Sequence, residues 1–213
     1  MNSVNTIRVT FSKQGRAKYI SHLDLMRTMT RVLRRAGIPL WYTEGFSKHP
    51  YITFASPLSL GYEGLAETMD FRLENDMPME EIKERLNRSM PDGIVVSSCA
   101  PAERKAGEIA SSRWCLRMSS ERQQAFEELF LKDEIPVQKR TKKKTLKTID
   151  IKPYIQDVVW ETDESGVLLR LALPTGEQAV NPALVITAAC GDNVTDISVC
   201  REAVFTADGK NFK

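Results

Sequence analysis

The chain has 213 residues, 42% of them hydrophobic and 27% charged, with a net charge of +2, which is enough for one large or two small globular domains with a real core. No apolar run nears the ~20 residues that a membrane-spanning helix needs, and Met1–Thr6 has no basic patch leading into an apolar stretch. A cytoplasmic protein without membrane association is expected.

The small net charge conceals segregation along the chain. Residues 1–53 carry nine Lys/Arg against two acids, and residues 138–152 carry seven against one. Residues 54–90 run the other way, four against eight, as do residues 153–213, four against nine. The cysteines Cys99, Cys115, Cys190 and Cys200 form no C-x-x-C pair, and His22 and His49 are not spaced with them as ligands. Neither a metal site nor a cofactor is expected, and the thiols read as reduced and buried.

Ile7–Phe11 alternates apolar and polar residues, which predicts a strand. A helix follows from about His22 to Ala36. Ser21 supplies its N-cap, with Asp24 three residues on in place of the usual Glu, and Gly37 and Pro39 stop it. Leu25, Met29, Val32, Leu33 and Ala36 share one face of this helix. A short strand is expected at Ile38–Tyr42, then a long loop over 43–64, a strand at Ala66–Leu73, a helix opened by Pro78, and a strand at Ile94–Cys99. The order β-α-β-β-α-β is the ferredoxin-like pattern. After a polar linker at 100–111 comes a second round: strand Arg113–Met118, helix Glu121–Leu131, a hairpin of Val158–Glu161 and Leu168–Leu173, a helix capped by Asn181, and strand Ile197–Phe205. The expected fold is α+β, with tandem ferredoxin-like domains at 1–100 and 112–213. The second carries a basic insertion at 132–157, which supplies a missing strand plus an excursion.

Candidate function concentrates in basic features. Arg27, Arg31, Arg34 and Arg35 form a stripe on the first helix, opposite its apolar face. Guanidinium forks match phosphate oxygens, although the same stripe also suits a solvated face paired with the acids of 63–84. His22 falls at the first helical position, where backbone N–H groups favour an anion. It reads either as a general base at a phosphate or as a structural residue. The loop Glu44–Pro50 interleaves Lys48 and His49 with Tyr42, Phe46 and Tyr51, a composition that suits single-stranded nucleic acid or a Pro-fixed loop with its aromatics turned inward. Lys139, Arg140, Lys142, Lys143, Lys144 and Lys147 make a basic finger, which reads as nucleic-acid-binding or merely solvated.

The stretches Lys18–Leu25, Arg34–Pro39, Glu44–Pro50, Ser56–Gly61 and Thr141–Pro153 also carry a resemblance. They are similar to a bacterial family of unknown function described as radical-SAM-associated, with members appended to or encoded beside radical-SAM proteins. The resemblance implies such a protein as partner. More weakly, the fold expectation and the place of His22 are similar to the CRISPR repeat-processing RNases, although the glycine-rich loop near their C-terminus is missing here. The expected function is an RNA-binding accessory protein beside a radical-SAM protein, in RNA modification or processing. Binding would use Arg27, Arg31, Arg34, Arg35, Lys48, Lys139, Arg140 and Lys142–Lys144. The alternatives are a metal-independent RNA endonuclease using His22 or His49, and an adaptor that delivers substrate to the radical-SAM partner.

Overall fold

Apolar residues at every second position of the first strand, and at every third or fourth of the first helix, give two surfaces that exclude water only against each other. A computed structural model describes residues 6–140, 145–192 and 194–212. The chain divides into two units, Met1–Ile109 with Gly209–Lys213, and Ala110–Asp208. Among the described residues there are four α-helices, and the fold is α+β.

The first unit contains β1 (Thr6–Lys13), α1 (His22–Arg35), β2 (Ile52–Phe54), β3 (Glu63–Arg72), α2 (Met79–Ser89) and β4 (Ile94–Pro101). Its strands lie in the order β4-β1-β3-β2, and each neighbouring pair is antiparallel. Ile7, Val9 and Phe11 of β1 and Met69 and Phe71 of β3 meet Leu25, Met29, Val32 and Leu33 of α1 and Ile82 and Leu86 of α2 in one buried core. Each such side chain contributes roughly 1.5–3 kcal/mol by leaving water. The α1 boundaries follow the sequence signals. The Asp24 amide donates to Ser21 Oγ at 3.2 Å. Gly37 takes φ +67°, a conformation that a side chain would strain, and its N–H donates to the Arg34 carbonyl. Pro78 precedes α2 as its cap residue rather than as its first helical residue.

The edge of this sheet differs from expectation. Ile38–Tyr42 is not a strand. It makes isolated bridges only, Leu40 to Leu73 and Tyr42 to Pro50. The strand that pairs with β3 is β2, inside the stretch expected to be loop, with Ile52 opposite Phe71 and Phe54 opposite Met69. The alternation in 38–42 is real, since Ile38 and Leu40 are buried. The ladder is interrupted because residues 43–49 leave the edge as an excursion. It is closed at its foot by Thr43 N–H donating to the His49 carbonyl at 2.9 Å. The expected linker is also shorter: β4 runs to Pro101 and the next strand begins at Ile109.

The second unit contains β5 (Ile109–Met118), α3 (Ser120–Phe130), β6 (Pro136–Arg140), β7 (Leu146–Asp150), β8 (Gln156–Asp163), β9 (Gly166–Pro174), α4 (Pro182–Cys190) and β10 (Ser198–Thr206). Its main sheet has the order β10-β5-β9-β8, and β6 and β7 form a separate two-stranded ribbon. Asn181 Oδ1 accepts from the Ala183 amide at 2.9 Å and caps α4, with Pro182 in its first turn. The ribbon is rooted by the run Asp150-Ile151-Lys152. Asp150 Oδ1 accepts from the Ile135 amide at 2.7 Å and the Lys152 amide at 3.0 Å, Ile151 is fully buried, and Lys152 Nζ donates to the Phe130 carbonyl at the end of α3. Arg170 on β9 pairs with Glu202 of β10 at 2.9 Å and with Glu161 of β8, which ties three strands of one face.

Truncation of the buried cores should be costly in both units. Leu33→Ala and Phe126→Ala, both at fully buried positions, should each lower stability by about 2–5 kcal/mol in urea unfolding. Tyr19→Ala, at a largely exposed ring, should change it by no more than about 0.5 kcal/mol.

Candidate nucleic-acid interface

The entry into α1 is fixed by charge placed under the surface. Lys13, at the end of β1, is 1% exposed and donates from Nζ to the Lys18 carbonyl at 3.2 Å. Burial pushes its pKa below the usual lysine value, and the nearby Glu67, itself buried, pulls in the opposite direction. The same Lys18 carbonyl accepts from the Gly61 amide at 3.0 Å. Glu63 accepts from the Gly15 amide at 3.0 Å and lies 3.8 Å from Lys18 Nζ. A Cβ at Gly64 would lie 2.3 Å from Glu67 Oε1, so a side chain there would displace the Glu67 carboxylate. Two stretches distant in sequence, 13–18 and 61–67, are therefore one network. Neither Lys13 nor Glu67 was a sequence candidate, and a charge inside an alternating strand, Lys13 at the position that continues Ile7, Val9 and Phe11, was the signal that marks them.

On this support α1 presents its polar face. Arg27, Arg31, Arg34 and Arg35 are all exposed. Arg27 pairs with Asp24 at 3.2 Å. Arg31 makes no side-chain hydrogen bond or ion pair among the described residues. The Arg34 guanidinium lies 5.8 Å from the Tyr42 ring centroid, which brings the foot of the 43–49 excursion alongside the helix. Arg35 is used differently: its Nη2 donates to the Ser89 carbonyl and joins α1 to α2. At the excursion itself, Phe46 is fully exposed and Lys48 is exposed.

The histidines are held apart. His22 is exposed at the start of α1, its ring edge-on to Phe54 at 5.3 Å. Asp24 already puts a carboxylate in that first turn. It accepts from the Ser21 hydroxyl at 2.7 Å, and this bond, then Arg27, holds its pKa below the usual carboxylate value. His49 closes the excursion: its amide donates to Thr43 Oγ1, and Nδ1 lies 3.1 Å from the Ser47 carbonyl and 3.2 Å from Thr43 Oγ1.

In the second unit, Lys139 Nζ donates to the Ala179 carbonyl at 2.6 Å, and Lys147 is its cross-strand neighbour. Arg140 ends β6. The sequence candidates Lys142, Lys143 and Lys144 lie outside the described residues. All four cysteines are free and half-buried rather than buried. Burial pushes the Cys99 thiol up to about 12 and also raises Cys115 and Cys190. Among the described residues, no group of three or more His, Cys, Asp or Glu is placed to hold a metal ion, and no helix is long and apolar enough to cross a membrane.

Two outcomes follow from these environments. Lys13→Met should destabilise the protein by about 1–3 kcal/mol, because the Lys18 carbonyl loses a buried donor and Glu67 a nearby positive charge. Lys13→Met combined with Glu67→Leu should recover part of that loss in urea unfolding, whereas additive losses would show that the two do not interact. Alkylation of Cys99 by iodoacetamide should climb about tenfold per pH unit between about pH 7 and 9 without a plateau, since only the thiolate reacts. A plateau near the ordinary thiol range, read by mass spectrometry of its peptide, would show that burial does not suppress the thiolate.

Comparison with known proteins places these features in a family. No curated protein matches the chain. A crystal structure of an unknown protein from Galdieria sulphuraria is 11% identical, with 94% of this chain and 98% of that chain covered and a TM-score of 0.29. Residues 6–182 match DUF2344, described as an uncharacterized protein conserved in bacteria, and this match spans α1, the 43–49 excursion and the ribbon; the chain belongs to that family.

Proposed function

We propose that this is an RNA-binding accessory protein whose contact face is the outer side of α1 together with the 43–49 excursion. The observation that carries the reading is the placement of Arg27, Arg31 and Arg34 in one exposed row about 10 Å long, with Arg34 laid over Tyr42 at the foot of the excursion that carries the exposed Phe46 and Lys48. Arginine forks suit phosphate oxygens and exposed aromatics suit unstacked bases, which is the combination that single-stranded RNA requires. The strand orders β4-β1-β3-β2 and β10-β5-β9-β8 support reading each unit as a ferredoxin-like domain, the second with the β6–β7 ribbon inserted.

An accessory role beside a radical-SAM protein rests on the resemblance of the segments around Lys18–Leu25, Glu44–Pro50 and Thr141–Pro153. The chain has no C-x-x-x-C-x-x-C run, so an iron–sulfur cluster would belong to the partner. Nothing in the surroundings of His22 or His49 favours the nuclease alternative over this reading. The imidazole of His22 faces a phenyl ring, and that of His49 is engaged with Thr43 and Ser47.

The test is fluorescence anisotropy with labelled single-stranded RNA at rising salt. Affinity should fall steeply, and the variant Arg27→Gln/Arg31→Gln/Arg34→Gln should bind more weakly across unrelated sequences. Its log–log salt slope should be shallower by about 2, at roughly 0.7 per lost phosphate contact. Helicity should be nearly unchanged, because Gln forms helix almost as well as Arg. Unchanged affinity in the folded triple variant rules out this face.

A further inference from the structure

Arg72 ends β3 on the face of the sheet opposite the helices, since its neighbours Phe71 and Leu73 are buried in the core. Its guanidinium carbon lies 4.1 Å from the centroid of the Tyr51 ring and 5.3 Å from that of the Trp41 ring. Those two residues are neighbours at the foot of the excursion: the Tyr51 amide donates to the Trp41 carbonyl at 3.4 Å, and the Trp41 amide donates to the Arg72 carbonyl at 2.9 Å. The aromatic rings satisfy the charge of the guanidinium but accept none of its N–H bonds in the plane. Arg72 Nε is buried without any hydrogen-bond partner, and the side chain has no ion-pair partner among the described residues. Elsewhere on the same face, Arg8 shows the ordinary solution for a buried arginine. It takes Asp70 at 2.7 Å through both Nε and Nη2, and the Arg104 carbonyl at 2.8 Å.

A buried donor left open costs stability, which leaves the outer edge of the guanidinium as the part a ligand would meet. A guanidinium stacked on rings is also already ordered, so that little freedom is lost when an oxyanion docks on its fork. We infer that Arg72, held against Trp41 and Tyr51, is a phosphate-binding site for a nucleotide unit. This rests on the RNA reading above and adds a second contact point at the other side of the excursion from Arg34. A guanidinium fork matches the oxygens of a phosphate, which favours an oxyanion over a neutral ligand.

The experiment follows arginine Nε–Hε signals of the 15N-labelled full chain during separate titrations with uridine monophosphate, short single-stranded RNA and acetate. The Arg72 signal is assigned by its loss in Arg72→Lys. It should move with the nucleotide and the RNA but not with acetate, and Arg72→Lys should weaken RNA binding about tenfold, the loss expected when a charge-assisted hydrogen-bonded contact is removed. Movement with the nucleotide in a protein that binds no RNA upholds the phosphate site and removes the RNA reading. RNA binding with a stationary Arg72 signal and unchanged affinity in Arg72→Lys overturns the site and leaves the α1 face standing. Equal movement with acetate overturns the assignment to phosphate, and a titration in which neither Arg72 nor any other arginine signal responds overturns both. Should Arg72→Lys fail to fold, the signal is assigned by triple-resonance spectroscopy and the wild-type titrations decide alone.

Discussion

A lysine with almost no exposure has to find an acceptor and a counter-charge within reach, and in this protein that requirement organises the surface that matters. Lys13 reaches the Lys18 carbonyl, which also receives the Gly61 amide, while Glu67 sits under Gly64 and opposes the loss of the lysine proton. The short turn between β1 and α1 is thereby clamped to the loop that leads into β3. A helix whose entry is fixed at Ser21 cannot roll, so the row Arg27, Arg31 and Arg34 keeps its direction. Buried charges of this sort add little net stability, and their effect is on which arrangement the chain adopts.

The same economy explains several stretches within the matched residues 6–182. Lys18–Asp24 supplies the clamped carbonyl and the helix cap. Thr43 and His49 close the excursion. Asp150–Lys152 roots the β6–β7 ribbon on α3. These residues build the frame. Arg31, Phe46 and Lys48 are exposed outside that frame, where the proposed contact face needs them.

Much of the frame is legible in the residues because it depends on local rules. Ser21 and Asp24 mark the start of α1 and Gly37 its end, Asn181-Pro182 opens α4, and alternation finds β1, β3, β4, β5, β9 and β10 to within a few residues. What local rules miss is set by pairing at a distance. Ile38–Tyr42 alternates as well as many strands do, yet β3 takes Ile52–Phe54 as its edge partner because the 43–49 excursion interrupts the ladder. Arg35 has the spacing of a contact residue and also donates to the Ser89 carbonyl, and Lys139 donates to the Ala179 carbonyl. Trp41 and Arg72 lie 31 positions apart in sequence (72 − 41). No periodicity links them, and only the register of the sheet edge brings them together.

The central claim is that RNA meets the first unit along α1 and the excursion. The most direct measurement is photocrosslinking of the full chain to single-stranded RNA containing 4-thiouridine, with the modified peptides identified by mass spectrometry. Aromatic side chains stacked on bases are the ones such a label reaches. Crosslinks should map to Trp41–Tyr51 and to the exposed side of α1. Crosslinks confined to the second unit, or an absence of crosslinks from a protein that retains RNA on a filter, would contradict the account.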